Sequence, residues 1–221
     1  GIRNVYVGSY TRIDGTVVLE ATIDVTGAAK RVLIVASNPA VSEQTGWPIG
    51  FWWGELTHPY WEFTERGYEV TIASPDGGAL VGDGFSDPED DSGYSAHDLI
   101  SLGFKHSPTT AALLEDTPRL ADLDVGDFDA VLFVGGQGPM YTFVDDADVH
   151  ETVRAFFEAG KPTAVSCHAT AILLTATRSD GRLIVDGLTW TGFADSEERY
   201  ADEFVGQKIQ PFWIEEEARK L

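Results

Sequence analysis

The stretch AVSCHATAIL, residues 164–173, decides the fold, because a strand-like apolar run ends in it at a cysteine and a helical pattern begins at once. Three runs rich in β-branched residues come before it, at Arg31 to Ser37, Tyr68 to Ser74 and Phe128 to Val134, and a fourth, Pro162 to Ser166, leads into the cysteine. These runs are apolar at successive positions rather than at alternate ones. That pattern is typical of strands covered on both faces, as in a parallel sheet.

Helical patterns separate the predicted strands. Trp52 to Glu65 and Val149 to Phe157 carry apolar residues at three- and four-residue spacing, and Gly67 and Gly160 stand where helices commonly end. Strands that alternate with helices predict an α/β fold, with a doubly wound, mostly parallel sheet sandwiched by helices. In such folds ligands bind beyond the carboxyl ends of the strands.

The chain of 221 residues has the length of one domain, with or without an appendage. Residues 1–30 contain two β-like stretches around Asp14-Gly15 and are predicted to form a hairpin-like extension. Residues 31–221 then form the α/β domain. Within it, residues near 75–127 are rich in Gly, Pro, Asp and Ser and predict a loop-rich insertion, either an active-site cover or a solvated acidic segment.

The charge balance excludes two classes of partner. The chain has 15 basic and 36 acidic residues, a net charge of −21, which repels phosphate backbones and anionic lipid. We therefore expect no nucleic-acid and no membrane partner. A single cysteine cannot form an internal disulfide, and no apolar run approaches the roughly 18 residues of a spanning helix. The expected location is the cytoplasm.

Cys167 is the first candidate for chemistry. At a strand-to-helix turn its sulfur would lie at the carboxyl edge of the sheet and near a helix N-terminus, whose dipole favours the nucleophilic thiolate. The alternative is a small buried hydrophobic residue. The adjacent His168 would carry protons if the turn brings its imidazole beside the sulfur, and is otherwise a surface histidine.

Three further segments supply supporting groups. The glycine-rich Gly135-Gly136-Gln137-Gly138 follows a predicted strand, so its backbone amides could stabilise an oxyanion. Glu55 lies in an aromatic segment where desolvation would raise its pKa, although it could also be an ordinary glutamate in the first turn of a helix. Carboxylates of Asp195 to Glu198, after a predicted strand pair from Leu183 to Thr191, could orient the imidazole of His168.

Five segments in this order resemble the ThiJ/PfpI superfamily, which has a flavodoxin-like, glutamine-amidotransferase-like fold. They are TGWPIGFWWGELTHPYWEF (45–63), GYEVTIASPDGG (67–78), FVGGQGPMYTF (133–143), AVSCHA (164–169) and TGFADSEE (191–198). The similarity is closest to the branch of stress-induced chaperone-like glyoxalases and covers roughly Arg31 to Leu221.

The resemblance implies a role for each candidate residue. Cys167 corresponds to the nucleophile, His168 to its partner, Glu55 to the carboxylate that faces the thiol, and Glu198 to the acid of a triad. The amides around Gly136, Gln137 and His168 would line the oxyanion site. Gly138, His58 and Ala169 are further expected substrate contacts. Ala169 stands where the family usually has glycine.

The resemblance also raises a question about the chain termini. Members of this branch continue beyond the helix that corresponds to Phe212 to Leu221 with a strand, a turn and a helix. Residues 1–20 faintly resemble that piece, including its Asp-Gly turn. We hypothesise that they fill the position of those strands, by permutation or by exchange between subunits; the alternative is an unrelated extension.

The function implied is that of a cofactor-independent enzyme resembling glyoxalase III, which converts methylglyoxal to lactate through a hemithioacetal on Cys167. One alternative is a cysteine hydrolase or hydratase of the same superfamily, acting on a peptide, an amide or an isonitrile. Another is a non-catalytic holdase chaperone or redox sensor. The expected partner is a small aldehyde or related electrophile, and related proteins are commonly homodimers. Metal binding by His58 and His168 lacks any supporting spacing.

Overall fold

The computed structural model describes residues 5–11, 17–20 and 31–221, the first two ranges as backbone only. Its strands are β1 (Val5–Thr11), β2 (Val17–Glu20), β3 (Arg31–Val35), β4 (Ala40–Val41), β5 (Pro48–Ile49), β6 (Glu69–Ala73), β7 (Ala130–Phe133) and β8 (Thr163–Ser166). Its α-helices are α1 (Trp53–Glu65), α2 (Leu99–His106), α3 (Pro108–Ala111), α4 (Pro139–Thr142), α5 (Ala147–Glu158), α6 (Asp195–Val205) and α7 (Ile214–Ala218).

The central sheet has six strands in the order β2-β1-β8-β7-β3-β6. Strands β1, β8, β7, β3 and β6 run parallel, and only β2, at the edge, is antiparallel to its neighbour. Strands β4 and β5 form a separate two-stranded sheet. The predicted doubly wound, mostly parallel sheet is confirmed, and the four β-branched runs provide its β3, β6, β7 and β8.

The apolar runs bury both of their faces, as strands of a covered sheet must. In β3, Leu33 and Val35 pack into a core with Phe156 of α5, whereas Val32 and Ile34 pack into a second core with Leu56 of α1. All four strand residues are at most 1% exposed. The two cores therefore hold α1 and α5 on opposite faces of the sheet. Helix α1 lies within the residues predicted for it, whereas α5 begins two residues before its predicted segment and ends one residue after it.

The N-terminal strands extend the sheet beyond β8. Strand β1 pairs antiparallel with β2, where Gly8 lies opposite Glu20, and parallel with β8, where Val7 lies opposite Ser166. The predicted turn at Asp14-Gly15 lies outside the described residues. Strand β8, which leads to Cys167, thus has β7 on one side and β1 on the other.

The predicted strand pair between Leu183 and Thr191 is wrong. This segment makes a single antiparallel bridge, between Thr177 and Leu183, and continues as turns. The reason is the guanidinium of Arg178, which donates to the carbonyl oxygens of Ile184, at 2.7 Å, and Asp186, at 2.7 Å. Backbone acceptors that a ladder would use are therefore satisfied by one side chain.

The insertion predicted near 75–127 contains helices α2 and α3 among loops and 3₁₀ turns. Asp98 caps α2, since its carboxylate accepts from the backbone N–H of Ser101 at 3.0 Å. Within the part of the chain that the structure describes, we find no helix with the length and apolarity needed to span a bilayer.

Candidate active site

Cys167 lies on a strained elbow where β8 ends. It begins a 3₁₀ helix, Cys167–Leu174, and its φ of 47° is the one positive value at a non-glycine residue of the described chain. Such a conformation costs about 1–3 kcal/mol and persists only where surrounding contacts enforce it. One of those contacts is the hydroxyl of Thr170, which donates to the Cys167 carbonyl at 2.6 Å. The elbow holds the side chain, which is partly exposed, at the floor of a pocket.

His168 is placed against the sulfur by the same elbow. Its Nδ1 lies 3.2 Å from Cys167 Sγ, and its Nε2 lies 2.9 Å from Oε1 of Glu198, a side chain in the first turn of α6 that is only 1% exposed. A carboxylate accepts, so it holds the ring proton on Nε2 and leaves the Nδ1 lone pair toward the sulfur. Phe193 stacks on the imidazole, with ring centroids 4.1 Å apart. The three residues form a Cys-His-Glu chain.

Glu55 approaches the thiol from the opposite side, in the first turn of α1. Its Oε2 accepts from the backbone N–H of Gly135 at 2.9 Å and from the hydroxyl of Ser166 at 2.6 Å, and its carboxyl also hydrogen-bonds the thiol of Cys167. Burial raises the pKa of Glu55, and these hydrogen bonds only partly oppose the effect. The expected desolvated carboxyl is present.

The thiol itself departs from expectation. The sequence predicts that a helix N-terminus favours the thiolate, but burial and the negative charge of Glu55 raise the pKa of Cys167 well above its ordinary value. The backbone amides of Gly136 and His168 hydrogen-bond the sulfur and oppose this shift without cancelling it. Burial and the carboxyl of Glu55 thus work against the thiolate of Cys167, whereas the two amides work in its favour.

Two of the three predicted oxyanion amides converge on the site. The N–H groups of Gly136 and His168 point at the sulfur, whereas the N–H of Gln137 donates to Oδ2 of Asp83 at 2.6 Å and is not free for a ligand. Gly136 has a φ of 107°, and a Cβ there would lie 2.5 Å from the backbone nitrogen of Trp52. Only glycine allows this approach.

Asp83 is a site residue that the sequence does not reveal. It is 1% exposed, and its two carboxylate oxygens accept from the N–H groups of Gly50, at 2.8 Å, and Gln137, at 2.6 Å. Burial raises its pKa to about 7, against the lowering effect of both hydrogen bonds. Asp83 thereby ties the segment before α1 to the glycine-rich loop. Among the many acidic residues of the insertion, nothing in the sequence distinguishes it.

A pocket of about 950 Å³ opens above Cys167. Part of the insertion, including Phe85, Tyr94 and Asp98, forms one of its walls. His58 is also in the lining and lies 2.8 Å from Asp98. Although burial opposes it, hydrogen bonds from His58 and Ser101 lower the pKa of Asp98 to about 2. Among the described residues, no cluster of His, Cys, Asp and Glu side chains could hold a metal ion.

Two predicted contacts do not reach the pocket. Ala169 is fully buried in the core beneath the elbow, on the α5 side of the sheet. Gly138 donates its N–H to the carbonyl of Gly50 at 2.8 Å, and a Cβ there would lie 2.2 Å from the hydroxyl of Ser37. Both positions therefore serve close packing around the site rather than contact with a ligand.

Comparisons with known proteins agree with this arrangement. Residues 50–201 match the DJ-1/PfpI family. The chain is 28% identical to Deglycase PfpI of Pyrococcus furiosus over 155 residues, which cover 70% of this chain and 75% of that protein. It is 23% identical to Glyoxalase 3 of Candida albicans over 167 residues, which cover 75% of this chain and 69% of that protein.

Solved structures share the fold. The Rapid Encystment Protein 24 KDa of Francisella tularensis has a TM-score of 0.75 and 25% identity, over 86% of this chain and 80% of that one. Glyoxalase III from Candida albicans has a TM-score of 0.68 and 22% identity, over 85% of this chain and 80% of that one. The predicted resemblance is confirmed.

Proposed function

The chain belongs to the DJ-1/PfpI family, and from this we propose that it is a cofactor-independent cysteine enzyme that converts methylglyoxal to lactate. The observation that carries the proposal is the position of one thiol between two proton carriers. Cys167 Sγ lies 3.2 Å from Nδ1 of His168 and is hydrogen-bonded by Glu55, at the floor of a pocket.

The first step is addition of sulfur to the aldehyde carbon. The thiol proton passes to Nδ1 of His168, whose positive charge is stabilised by the buried carboxylate of Glu198. The bond from Sγ to carbon forms as the aldehyde double bond opens, and the resulting oxyanion lies within reach of the Gly136 and His168 amides. Return of the proton from the imidazolium gives a neutral hemithioacetal.

The second step moves a proton between neighbouring carbons. Glu55 takes the proton from the carbon bound to sulfur, and the electron pair forms an enediolate with its negative charge on the former ketone oxygen. That oxygen takes the proton of the neighbouring hydroxyl, and the carboxyl of Glu55 returns its proton to the second carbon, which leaves a thioester beside a hydroxyl group. A carboxyl must both accept and donate here, and this requires a pKa closer to neutrality than that of a solvated glutamate. The upward shift at Glu55 supports the assignment.

The last step hydrolyses the thioester that this rearrangement leaves on Cys167. His168 removes a proton from water, the hydroxide adds to the acyl carbon, and sulfur departs and regains a proton. One water is consumed, lactate is released, and no electrons enter or leave the system. The chemistry needs only groups that this chain provides.

The test is to incubate pure protein with methylglyoxal and measure lactate. We expect turnover by wild type and none above background by Cys167→Ala. Glu198→Gln should lower kcat, while Glu197→Gln is its matched control, since Glu197 bonds the backbone N–H of Ala194 at 3.0 Å instead of the imidazole. No turnover by wild type, or equal turnover by Cys167→Ala, would remove the proposal.

A second candidate is hydrolytic removal of carbonyl adducts from thiols or amines. The Cys-His-Glu chain favours it, because the same geometry activates water against an acyl-enzyme. The names of several relatives, such as Deglycase PfpI, point the same way. Methylglyoxal premixed with increasing N-acetylcysteine separates the two. A rate of lactate formation proportional to the concentration of free methylglyoxal supports the glyoxalase reaction. A rate proportional to the concentration of the adduct supports the hydrolytic reaction.

A further inference from the structure

The pocket is much larger than a three-carbon aldehyde requires. Its volume of about 950 Å³ lies near the top of the roughly 300–1,000 Å³ range of sites that enclose drug-sized ligands. Methylglyoxal bound at Cys167 would leave most of this space to water. The volume above the thiol fits a substrate with an additional bulky group.

One wall of this space is made of aromatic rings in mutual contact. Tyr94 lies at its centre, with its ring centroid 6.3 Å from that of Trp52, 6.0 Å from Phe85 and 6.2 Å from Phe204. All four rings line the pocket. Tyr94 is nevertheless 52% exposed and Phe204 62% exposed. Rings held edge to face around an open space offer contact to another ring.

The charges of the pocket restrict that group further. The carboxylate and imidazole side chains in its lining are Glu55, Asp98, Glu197, Glu198, His58, His97 and His168. No Lys or Arg lines it in the described part of the chain. Asp98, with its pKa lowered to about 2, is ionised at neutral pH. A substrate with its own carboxylate or phosphate would meet these acidic side chains with no Lys or Arg in the described lining to balance its charge.

We propose that the pocket selects neutral α-oxoaldehydes with an aromatic group, with the aldehyde at Cys167 and the aryl ring against the wall of Trp52, Phe85, Tyr94 and Phe204. The proposal rests on the glyoxalase function proposed above. The reaction is unchanged: sulfur adds to the aldehyde, the proton moves through Glu55, and one water releases a 2-hydroxy-2-aryl acid. The ring contributes binding energy at a distance from the reacting carbons.

The experiment compares kcat/KM for phenylglyoxal, methylglyoxal and 4-carboxyphenylglyoxal. With two or three ring contacts, wild type should prefer phenylglyoxal over methylglyoxal by about tenfold or more. The carboxylated aldehyde should be poorer than phenylglyoxal by a similar factor of about ten. Equal values for phenylglyoxal and methylglyoxal, or preference for the carboxylated compound, would overturn the proposal and leave the glyoxalase function standing.

The aldehydes also differ in intrinsic reactivity, and this difference cancels when the ratio of their kcat/KM values is compared between variants and wild type. Tyr94→Ala should lower the ratio of phenylglyoxal to methylglyoxal kcat/KM about three- to tenfold, and Tyr94→Phe should keep it. Trp61→Ala is the matched control, because Trp61 is also 52% exposed but does not line the pocket. An unchanged ratio in Tyr94→Ala contradicts the proposal. A second copy of the chain could instead cover the aromatic wall. If light scattering shows that Phe204→Ala dissociates a dimer and the ratio stays unchanged, the proposal is also contradicted.

Binding of acetophenone keeps the inference independent of turnover. This ketone lacks the aldehyde, and its contact with Trp52 can be followed by tryptophan fluorescence. Quenching that is weakened in Tyr94→Ala but not in Trp61→Ala supports the aryl site even if no aldehyde is turned over, in which case only the proposed function fails. Absence of quenching, or equal quenching in all three proteins, counts against the aryl site.

Discussion

Glu55→Gln should separate the reactivity of the thiol from catalysis, making Cys167 more reactive and the enzyme slower. The substitution keeps the shape of the side chain and removes its charge. Glu55 hydrogen-bonds the thiol, and its negative charge helps to raise the pKa of Cys167. Removing that charge therefore lowers the thiol pKa, whereas loss of the carboxyl removes the group proposed to move the proton between carbons.

The magnitude is bounded by the Coulomb interaction of two charges in contact. Such charges interact by about 4 kcal/mol at an effective dielectric constant of about 20. We treat this as an upper bound and expect the alkylation rate of Cys167 at neutral pH to rise by at least about tenfold, which requires about 1.4 kcal/mol. Turnover of methylglyoxal should fall by about 10²- to 10⁴-fold, the usual contribution of a positioned acid–base group.

The assay is the rate of alkylation by iodoacetamide as a function of pH. The chain has one cysteine, so the signal reports Cys167 alone. Glu197→Gln removes the same charge from another part of the pocket lining and is the matched control. A profile in Glu55→Gln that does not move, or that moves to higher pH, refutes the reasoning, because Glu55 would then be the neutral partner of an existing thiolate.

Three other expected outcomes concern the residues that hold the site. As the pH rises from about 4 to about 7, the free energy of unfolding of wild type should fall relative to that of Asp83→Asn, by up to about 4 kcal/mol in urea unfolding. The sign follows because the folded pKa of Asp83, about 7, exceeds its ordinary 3.8, so its contribution is complete at low pH and is lost as pH rises through the folded value. Gly136→Ala should lower the free energy of unfolding by at least about 2 kcal/mol, because its φ of 107° leaves no room for a Cβ. Ser166→Ala removes a hydrogen bond that lowers the pKa of Glu55, so the acidic limb of the kcat profile should move to higher pH.

Each of these outcomes has a contrasting result. A difference between wild type and Asp83→Asn that stays constant across the pH range contradicts a raised pKa at Asp83. Gly160→Ala is the control for Gly136→Ala, since Gly160 has a φ of 67° and no atom within 4 Å of a Cβ; equal losses would show that crowding at the oxyanion loop is unimportant. For Ser166→Ala, an acidic limb that moves to lower pH would contradict the assigned hydrogen bond.

The sheet could be predicted because strands that are buried on both faces consist almost entirely of apolar residues. Val32 to Val35 are apolar at every position, and the structure divides them alternately between the two cores, as burial on both faces requires. The prediction of a strand pair from Leu183 to Thr191 was wrong for a reason that the residues of this segment do not reveal. Its carbonyls are taken by Arg178, a residue that precedes the segment and looks like any other surface arginine.

The candidate site could be predicted only in part from the sequence. Adjacency at an elbow indicated that Cys167 and His168 could meet, but the contacts of Glu55 and Glu198 join residues 111 and 30 positions apart, and only the family resemblance pointed to them. The sequence does not distinguish Ser166 and Asp83, because a serine at a strand end and an aspartate in an acidic loop are both common. The raised pKa of Cys167 was missed because burial and a facing carboxylate outweigh the amides at the start of its helix.

The decisive measurement is the identity of the residue that becomes bonded to substrate during turnover. Wild type and His168→Ala would be mixed with methylglyoxal, quenched in acid within the first turnover and digested for mass spectrometry. The mechanism predicts one methylglyoxal unit on the peptide that contains Cys167 in wild type, and less of it in His168→Ala, because the imidazole takes the thiol proton in the first step. Lactate formation by wild type with no adduct on that peptide, in either protein, would contradict a covalent role for the thiol.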